Sequence, residues 1–394
     1  MQKEFKLKIA LRIVIGLLVT LILLIGIYVM YVCLQYSRIE DLKSYKDDIN
    51  QVSNEKVKYN TTYKITTYNI GFGAYEQDFS FFMDSGEYLD GKKVTGKLSR
   101  AKSKQTVLTN TKGVIDTINN IDPDFCFFQE VDTKANRSHK VNQYRMLQES
   151  LLGMSNVYVS NFHSAYLFYP IFSPHGKVES GITTFSKYQM DEVVRHSLEI
   201  SDAFPTKFFD LDRCFTATYI PTEDDKYLVL VNVHLSAYDE GGVYRKKQWE
   251  QLNKFLDEEY AKGNYIVCGG DFNHDIANSV GEFSTDRLKP DWVYVLNEED
   301  LTEHYTFATS KNVGTCRSTD TSYEKNKNYT VVVDGFIVSD NIEIKIVENI
   351  DTDFMYSDHN PVKLEFSIKK KIGWVFRNIA KYSVLNNIIC ILNG

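Results

Sequence analysis

Proline and flexible linkers are scarce in this sequence. Seven prolines are spread over 394 residues, and no Gly/Ser-rich or low-complexity stretch interrupts the chain. Domain boundaries usually fall in such exposed, irregular linkers. We therefore expect one folded domain after the N-terminal segment. At about 350 residues it is large for a single domain, but this size suits two packed sheets flanked by helices.

Cysteine and metal-binding histidine patterns are also missing. Of the six cysteines, only Cys214 and Cys316 are candidates for a disulfide, and the cysteine spacings do not indicate zinc. The eight histidines include no His-Glu-x-x-His motif. These absences argue against a disulfide-stapled scaffold and against a zinc hydrolase.

Positive charge is not in excess. The chain has 45 basic and 52 acidic residues, a formal net charge of −7 and a pI near 5.7. This balance predicts no broad basic surface for tight binding of duplex nucleic acid. It leaves open a nuclease that holds its substrate through a few local contacts.

One long apolar run stands near the N-terminus. Residues 13–34 contain no charge, and 22 such residues are enough to span ~30 Å of hydrocarbon as a helix. Residues 1–12 include four basic side chains, so the positive-inside rule predicts a cytoplasmic N-terminus. A cleaved signal peptide is the alternative, but the run exceeds the usual ~7–15 residues and no small-x-small cleavage site follows. We expect an uncleaved, single-pass anchor in the cell membrane, with the rest of the chain outside the cell.

Charged segments flank the expected domain on both sides. Residues 35–59 are polar and charged, which predicts a helical or flexible stalk. Residues 369–394 begin with three lysines and continue into an aromatic and apolar stretch. This tail predicts either an amphipathic helix on the membrane surface or a segment that packs back on the domain.

Six apolar, strand-like runs each end in, or carry, a polar group. Buried strands read as continuous apolar runs, and ligands collect where such strands end. Single acids and amides at these positions are common turn residues, but six together can form one site. Carboxylates bind a hard cation, imidazoles move protons and amides donate hydrogen bonds, which is chemistry that cleaves phosphate esters. In chain order the residues are Asn69, Glu130, His234, Asp271 with Asn273, Asp334, and Asp358 with His359.

In their type and order these residues resemble the endonuclease/exonuclease/phosphatase superfamily, which includes deoxyribonuclease-I-like nucleases, abasic-site endonucleases, bacterial sphingomyelinases and inositol polyphosphate 5-phosphatases. The resemblance covers residues 60–368. It implies an α+β fold, a four-layer α/β/β/α sandwich of two packed mixed sheets, which here would follow one transmembrane helix. Amphipathic spacing agrees with this, because it predicts helices over residues 107–121 and 249–260 that lead into two of the polar strand ends.

The resemblance implies a metal site that contains oxygen ligands. Glu130 resembles the family's principal magnesium ligand, with the Asn69 amide and the Asp358 carboxylate close to the ion. The implied cofactor is Mg²⁺, with Mn²⁺ as its substitute. Magnesium prefers oxygen ligands and keeps several waters, which fits these three side chains.

The resemblance also implies the catalytic roles. His359 resembles the histidine that acts at the scissile phosphate, and Asp334 the acid that orients its imidazole. Asp271 resembles the residue that positions or deprotonates the attacking water, and Asn273 a donor to the phosphoryl oxygen. His234 resembles a second histidine that the abasic-site branch lacks, which argues against that branch.

Three further residues have weaker claims to the site. They belong to an aromatic-rich segment before the strand-like run of residues 181–185. The resemblance implies that this strand packs in the core and that the segment before it lies near the substrate. An ordinary aromatic loop is the alternative interpretation. The expected substrate contacts are Tyr166, His175 and Lys177.

The sequence as a whole predicts a membrane-anchored, outward-facing bacterial Mg²⁺-dependent phosphodiesterase. Its predicted partners are the membrane and a phosphate-ester substrate, with no obligate protein partner. The motifs hold one phosphate and do not identify what is attached to it, so a nuclease and a sphingomyelinase-like phospholipase C both remain open. A non-catalytic surface binding protein on the same fold is a further alternative, but such a protein should have lost Glu130, Asp271 or His359, and none is lost.

Overall fold

A computed structural model describes residues 2–237 and 239–369 of the chain. The predicted tail, residues 369–394, lies outside the described residues apart from Lys369. The α-helices in the described part are α1 Gln2–Gln35, α2 Lys104–Ile121, α3 Gln143–Ser150 and α4 Val243–Ala261. Single-turn 3-10 helices lie at Lys46–Asp48, Gly71–Gly73, Thr206–Phe208, Glu240–Gly242 and Glu298–Asp300.

The strands form two large mixed sheets and two small hairpin-like pairs. The seven-stranded sheet has the order β1-β8-β9-β10-β11-β15-β12, and the six-stranded sheet has the order β16-β17-β2-β5-β7-β6. The strands are β1 Lys43–Ser44, β2 Tyr63–Asn69, β3 Ser85–Glu87, β4 Lys93–Thr95, β5 Phe125–Asp132, β6 Ser155–His163, β7 Glu179–Ser186, β8 Glu192–Ser197, β9 Cys214–Pro221, β10 Tyr227–His234, β11 Tyr265–Asp271, β12 Tyr305–Ala308, β13 Cys316–Arg317, β14 Thr330–Val331, β15 Asp334–Ser339, β16 Ile342–Asn349 and β17 Val362–Ile368.

The two sheets pack face to face because their central strands are apolar on both faces. Alternate residues of a strand point to opposite sides. In β10, Leu228 and Leu230 lie in the core between the sheets, whereas Val229 and Val231 face α4. A strand with both faces covered reads as a continuous apolar run, as this one does.

The helices cover the outer faces of the sheets. α2 begins after Ser103, whose hydroxyl accepts a hydrogen bond of 3.0 Å from the backbone N–H of Thr106. Its buried face, which includes Ile118, packs on the six-stranded sheet together with α3. Leu252 and Leu256 of α4 pack on the seven-stranded sheet. The predicted four-layer α/β/β/α sandwich and both predicted amphipathic helices are confirmed.

Residues 35–59 differ from the predicted helical or flexible stalk. β1 pairs with β8 at the edge of the seven-stranded sheet, and further along Val57 bridges Thr222. The side chains of Tyr45 and Val57 are buried in the core between the sheets. Residues 35–59 thus form an ordered segment that covers the edge of the seven-stranded sheet beside β8. The charged residues of this segment form its solvated side.

Helix α1 leaves its apolar side chains exposed and is, among the described residues, the one helix long and apolar enough to cross a membrane. An N-terminal signal sequence would have the same properties. Near its C-terminal end, Val32 packs against Ala165 and Phe208 of the domain.

The described cysteines are all free, so Cys214 and Cys316 do not form a disulfide.

The buried position of the His196 ring predicts that the protein loses stability in acid. Its ring lies 4.6 Å from that of Phe215 and 4.5 Å from that of Phe255, and its buried Nε2 has no hydrogen-bond partner among the described residues. Burial lowers the pKa of His196 from 6.5 to about 4. Between these values the unfolded chain binds a proton that the folded chain does not, so the free energy of unfolding falls as pH falls.

We expect His196→Phe to remove this contribution. The free energy of unfolding is compared at pH 7.5 and pH 5 for both proteins. Its decrease between these pH values should be about 2 kcal/mol smaller in the variant than in the wild type. Urea unfolding at both pH values measures the difference. An equal drop in both proteins would show that His196 titrates normally in the folded state.

Candidate active site

The C-terminal ends of parallel strands meet at one edge of the sandwich. β2 and β5 run parallel in one sheet and β10 and β11 run parallel in the other, so their polar terminal residues converge. A cleft of about 490 Å³ opens there. Asn69 and Asp334 are buried beside it, and the remaining predicted catalytic and metal residues line it: Glu130, His234, Asp271, Asn273, Asp358 and His359.

His359 and Asp334 form a buried hydrogen-bonded pair. The apolar run that carries Asp334 is not one continuous strand, because β14 ends at Val331 and β15 begins at Asp334. His359 Nδ1 lies 2.8 Å from Asp334 Oδ2. Burial disfavours the imidazolium, but the groups around it, Asp334 first and then Cys316 and Asp271, together outweigh burial and hold the pKa of His359 well above its ordinary value. His359 is therefore a cation at neutral pH, with Nε2 left to face the cleft.

Asp271 occupies the centre of the site. Its Oδ2 accepts a hydrogen bond of 2.9 Å from Asn69 Nδ2, and its Oδ1 accepts one of 2.9 Å from the backbone N–H of Asn273. His359 Nε2 lies 3.8 Å from Oδ2. Burial raises the pKa of Asp271 to about 6, with His359 opposing the rise. The carboxylate is thus ionised at neutral pH but close to its titration range.

A glycine allows Asp271 to reach this place. Gly270 has φ +148°, and a Cβ there would meet the carbonyl oxygen of Val233 at 2.1 Å. Only glycine allows β10 and β11 to approach this closely. The Gly-Gly-Asp sequence therefore places the acid beside His234, with which Asp271 is in register.

Glu130 is turned into the cleft by an irregularity in its strand. The pairing of β5 with β7 shifts between Phe128 and Val131, and Glu130 has a left-handed φ of 55°. Such bulges re-aim side chains. The carboxylate is 23% exposed, and its Oε1 is 3.4 Å from Asn69 Nδ2.

The carboxylates of Glu130, Asp271 and Asp358 make the floor of the cleft acidic. Burial raises the pKa of Glu130, and the Asp358 charge adds to the rise; burial also raises the pKa of Asp358. Grouped buried carboxylates are costly unless a cation or a proton compensates them. Their oxygens suit a hard divalent ion such as Mg²⁺, so the side chains fit the expected metal.

His234 and Asn273 complete the polar set. His234 Nε2 lies 3.6 Å from Asp271 Oδ2 and 3.9 Å from Glu130 Oε1. Burial lowers the pKa of His234 well below its ordinary value, so this imidazole is neutral. Asn273 Nδ2 donates to the Leu235 carbonyl at 2.8 Å, and its second N–H remains available to a ligand.

Three buried arginines line the cleft and were not identified from the sequence. Arg137 binds Asp132 through two hydrogen bonds of 3.0 and 2.9 Å, and Arg213 Nη1 donates to the Leu235 carbonyl at 2.9 Å. The third is Arg317. They lie in connecting segments or a two-residue strand, with no strand-end motif to distinguish them from surface arginines. Their positive charge fits an anionic substrate.

The three weaker predictions have different outcomes. His175 lines the cleft and is buried; its Nδ1 is 2.8 Å from the Ser99 carbonyl oxygen, and burial lowers its pKa to about 4. Tyr166 and Lys177 do not line the cleft. Tyr166 instead contacts α1, and Lys177 is exposed, with its backbone N–H donating to Asn136 Oδ1 at 2.9 Å.

Comparisons with known proteins identify the family and agree with the fold. The Endonuclease/Exonuclease/phosphatase family model matches residues 66–359. An endonuclease/exonuclease/phosphatase from Beutenbergia cavernae shares the fold with a TM-score of 0.53 at 14% identity, covering 78% of this chain and 72% of its own.

Two further structures are more distant. The human nocturnin catalytic domain with bound sulfate has a TM-score of 0.48 at 16% identity, covering 78% of this chain and 95% of its own. Truncated Caenorhabditis elegans TDP2 has a TM-score of 0.46 at 14% identity, covering 78% of this chain and 99% of its own. No curated protein matches the sequence. Because the family match runs from β2 to His359 and takes in every predicted catalytic and metal residue, this chain belongs to the endonuclease/exonuclease/phosphatase family.

Proposed function

We propose that this chain is a divalent-metal-dependent phosphodiesterase, anchored in the membrane by α1 with its catalytic domain outside the cell. The observation that carries the proposal is the His359–Asp334 pair, 2.8 Å apart and buried, whose imidazole faces an acidic cleft. The strand ends hold a cationic imidazole, a carboxylate near its titration range and amide donors. This set of groups suits the attack of water on an anionic ester.

The chain's own residues account for the proton and charge movements. Asp271, held by Asn69 and by the Asn273 backbone, positions a water and takes its proton as the water oxygen bonds to phosphorus. The bond from phosphorus to the leaving oxygen breaks in the same displacement, and the leaving oxygen takes a proton from solvent, to which Asp271 afterwards releases the proton that it accepted. His359 donates from Nε2 to a phosphoryl oxygen, where negative charge grows, and Arg213 adds positive charge at the same cleft.

Glu130, Asp358 and Asn69 would hold the metal ion. A bound Mg²⁺ would supply positive charge that stabilises the negative charge of the reacting phosphate. Asp271, Asp334 and His359 also offer ligand atoms within 4.8 Å of one another. We assign that group to proton transfer, because His359 Nδ1 is already bonded to Asp334 and magnesium prefers oxygen ligands.

The anchor rests on α1 and on the charges beside it. The apolar side chains of α1 are exposed over its length, and four basic residues precede residue 13. The positive-inside rule then places the N-terminus in the cytoplasm and the cleft outside. Protease treatment of intact cells tests this topology, because it should digest the catalytic domain and spare an N-terminal tag.

The proposed activity is tested with the full-length chain in detergent. We expect hydrolysis of bis-p-nitrophenyl phosphate with Mg²⁺ and its loss on chelation. Plasmid DNA, RNA and sphingomyelin in the same assay report the natural substrate class. A folded protein that cleaves none of the four would favour a binding role for the cleft.

Asp334→Asn tests the orientation of the imidazole. The amide keeps the size of the side chain but lacks the charge that holds His359 protonated. We expect kcat to fall by about 10²–10⁴, with KM nearly unchanged because Asp334 does not line the cleft. Steady-state kinetics give both constants. A rise in KM with kcat intact would mean that Asp334 acts on substrate binding.

A further inference from the structure

Two loops beside the cleft carry an exposed apolar surface. The β6–β7 loop spans residues 164–178 and the β8–β9 loop spans residues 198–213. No charged residue occurs in residues 165–174. Contiguous exposed apolar surface marks an interaction site. Its large side chains, with their exposed fractions, are Phe168 56%, Tyr169 60%, Ile171 78%, Phe172 100%, Phe204 64% and Phe209 42%.

Both loops pack on the C-terminal end of α1. The Tyr28 hydroxyl donates to the Tyr166 carbonyl at 3.2 Å and accepts from the Phe168 N–H at 3.2 Å. The Tyr28 and Phe168 rings meet edge to face at 5.3 Å. From the other loop, Phe208 packs on Val32 and on the Tyr36 ring. The loops are therefore held at a fixed height along the helix.

That height corresponds to the outer surface of a bilayer. A membrane span needs about 20 residues, so one that starts at residue 13 ends near Val32. The loop contacts, from Tyr28 to Tyr36, thus lie in the last turns of the span and just beyond it. Tyrosines are enriched at this level of membrane proteins. Apolar loops attached there lie at the lipid head groups.

The same loops form a wall of the active-site cleft. Within the β6–β7 loop, Tyr166 and Phe168 contact α1, whereas the intervening Leu167 and the next residue, Tyr169, line the cleft. In the β8–β9 loop, Phe209 lines the cleft directly after the helix contact at Phe208. In both loops a residue that lines the cleft therefore directly follows a residue that contacts the α1 end.

We propose that these two loops dock on the outer leaflet of the membrane that α1 crosses, and that the cleft takes its phosphate ester from the head group of a lipid in that leaflet. This inference rests on the proposed phosphodiesterase function. The charged floor, with His359 and Arg213, fits the head-group phosphate, and the aromatic wall, with Leu167 and Tyr169, fits the apolar part next to it. A nucleic acid would instead need a basic wall, whereas residues 165–174 carry no charge and the β8–β9 loop has four acidic residues against two basic ones, Lys207 and Arg213.

The test compares a membrane-bound with a soluble substrate. Full-length protein is reconstituted into vesicles of phosphatidylcholine and sphingomyelin, and release of the phosphorylated head group is measured beside hydrolysis of bis-p-nitrophenyl phosphate. The test variant is the double substitution Ile171→Ser with Phe172→Ser, because neither side chain lines the cleft. The control is Leu89→Ser with Leu152→Ser, which removes side chains 64% and 75% exposed outside both loops.

We expect the test variant to lower lipid cleavage about tenfold or more, because two apolar side chains lose their burial in the lipid. Its hydrolysis of the soluble ester should equal that of the wild type, and the control should match the wild type on both substrates. Equal lipid cleavage by test variant and control would overturn the docking surface. Cleavage of DNA or RNA with none of lipid would overturn the lipid substrate and leave the phosphodiesterase intact. If the wild type cleaved none of lipid, DNA, RNA and bis-p-nitrophenyl phosphate, the proposed phosphodiesterase function itself would be contradicted.

A second readout does not depend on catalysis. Phe172→Trp should introduce fluorescence that lipids with brominated acyl chains quench, beyond the quenching of the natural tryptophans. Leu152→Trp, outside the loops, should add fluorescence without that quenching. Equal quenching of the two variants would contradict insertion of the β6–β7 loop.

Discussion

Replacing His359 with alanine should lower phosphodiester turnover by about a thousandfold, within the range that a positioned acid or base contributes. The imidazole lines the cleft, and its Nδ1 lies 2.8 Å from Oδ2 of the buried Asp334 carboxylate. Alanine removes the cation that faces the growing negative charge. Because Asp334 then keeps a buried charge without its partner, some stability should also be lost.

Two variants separate chemistry from folding. His359→Gln keeps a hydrogen-bond donor of similar reach but no titrating ring, and it should be nearly as inactive as the alanine variant. His304→Ala removes a 39% exposed histidine that stacks on Tyr260, away from the cleft, and should retain full turnover. Thermal unfolding of all three gives the folded fraction. Near-normal turnover by folded His359→Ala protein would remove His359 from the mechanism.

Glu130→Gln should abolish most of the response to magnesium. Glu130 shares the floor of the cleft with Asp271 and Asp358, and the repulsion among these carboxylates is what a divalent ion relieves. We expect the magnesium concentration for half-maximal turnover to rise at least about tenfold, equivalent to ~1.4 kcal/mol of binding. The metal-free variant should be more stable than the metal-free wild type, because it has one buried charge fewer.

Binding is measured apart from turnover by thermal unfolding. Magnesium at about 100 times its dissociation constant should stabilise the wild type by ~2.7 kcal/mol, and the same concentration should stabilise Glu130→Gln far less. Glu258→Gln, on the exposed side of α4, is the matched control and should respond like the wild type. Identical magnesium shifts for the wild type and Glu130→Gln would place the ion elsewhere.

Much of the site was predictable because the fold reads as local patterns. An apolar run that ends in Asn69, Glu130 or Asp271 predicts both a buried strand and the position of its end. Parallel pairing of such strands brings their ends together, as the structure shows for β2 with β5 and β10 with β11. Asp334 could be singled out because a buried acid needs a partner, and His359 is that partner.

The remaining features depend on tertiary contacts that leave no local signal. Arg137, Arg213 and Arg317 point into the cleft from segments whose sequence reads like solvated surface. Residues 35–59, before β2, are polar on average, and their packing on the domain is seen only from tertiary contacts such as the pairing of β1 with β8 and the bridge from Val57 to Thr222. Tyr166 was expected at the substrate, but the packing of α1 takes it to the helix. Such long-range pairings decide which face of a loop a side chain occupies.

The most direct test of the central claim is hydrolysis of bis-p-nitrophenyl phosphate by full-length wild type and His359→Ala prepared in parallel, with magnesium and then with excess chelator. The account predicts turnover by the wild type alone, lost on chelation and restored by adding magnesium back. Turnover that survives chelation, or that is equal in the two proteins, would contradict a metal-dependent phosphodiesterase centred on His359.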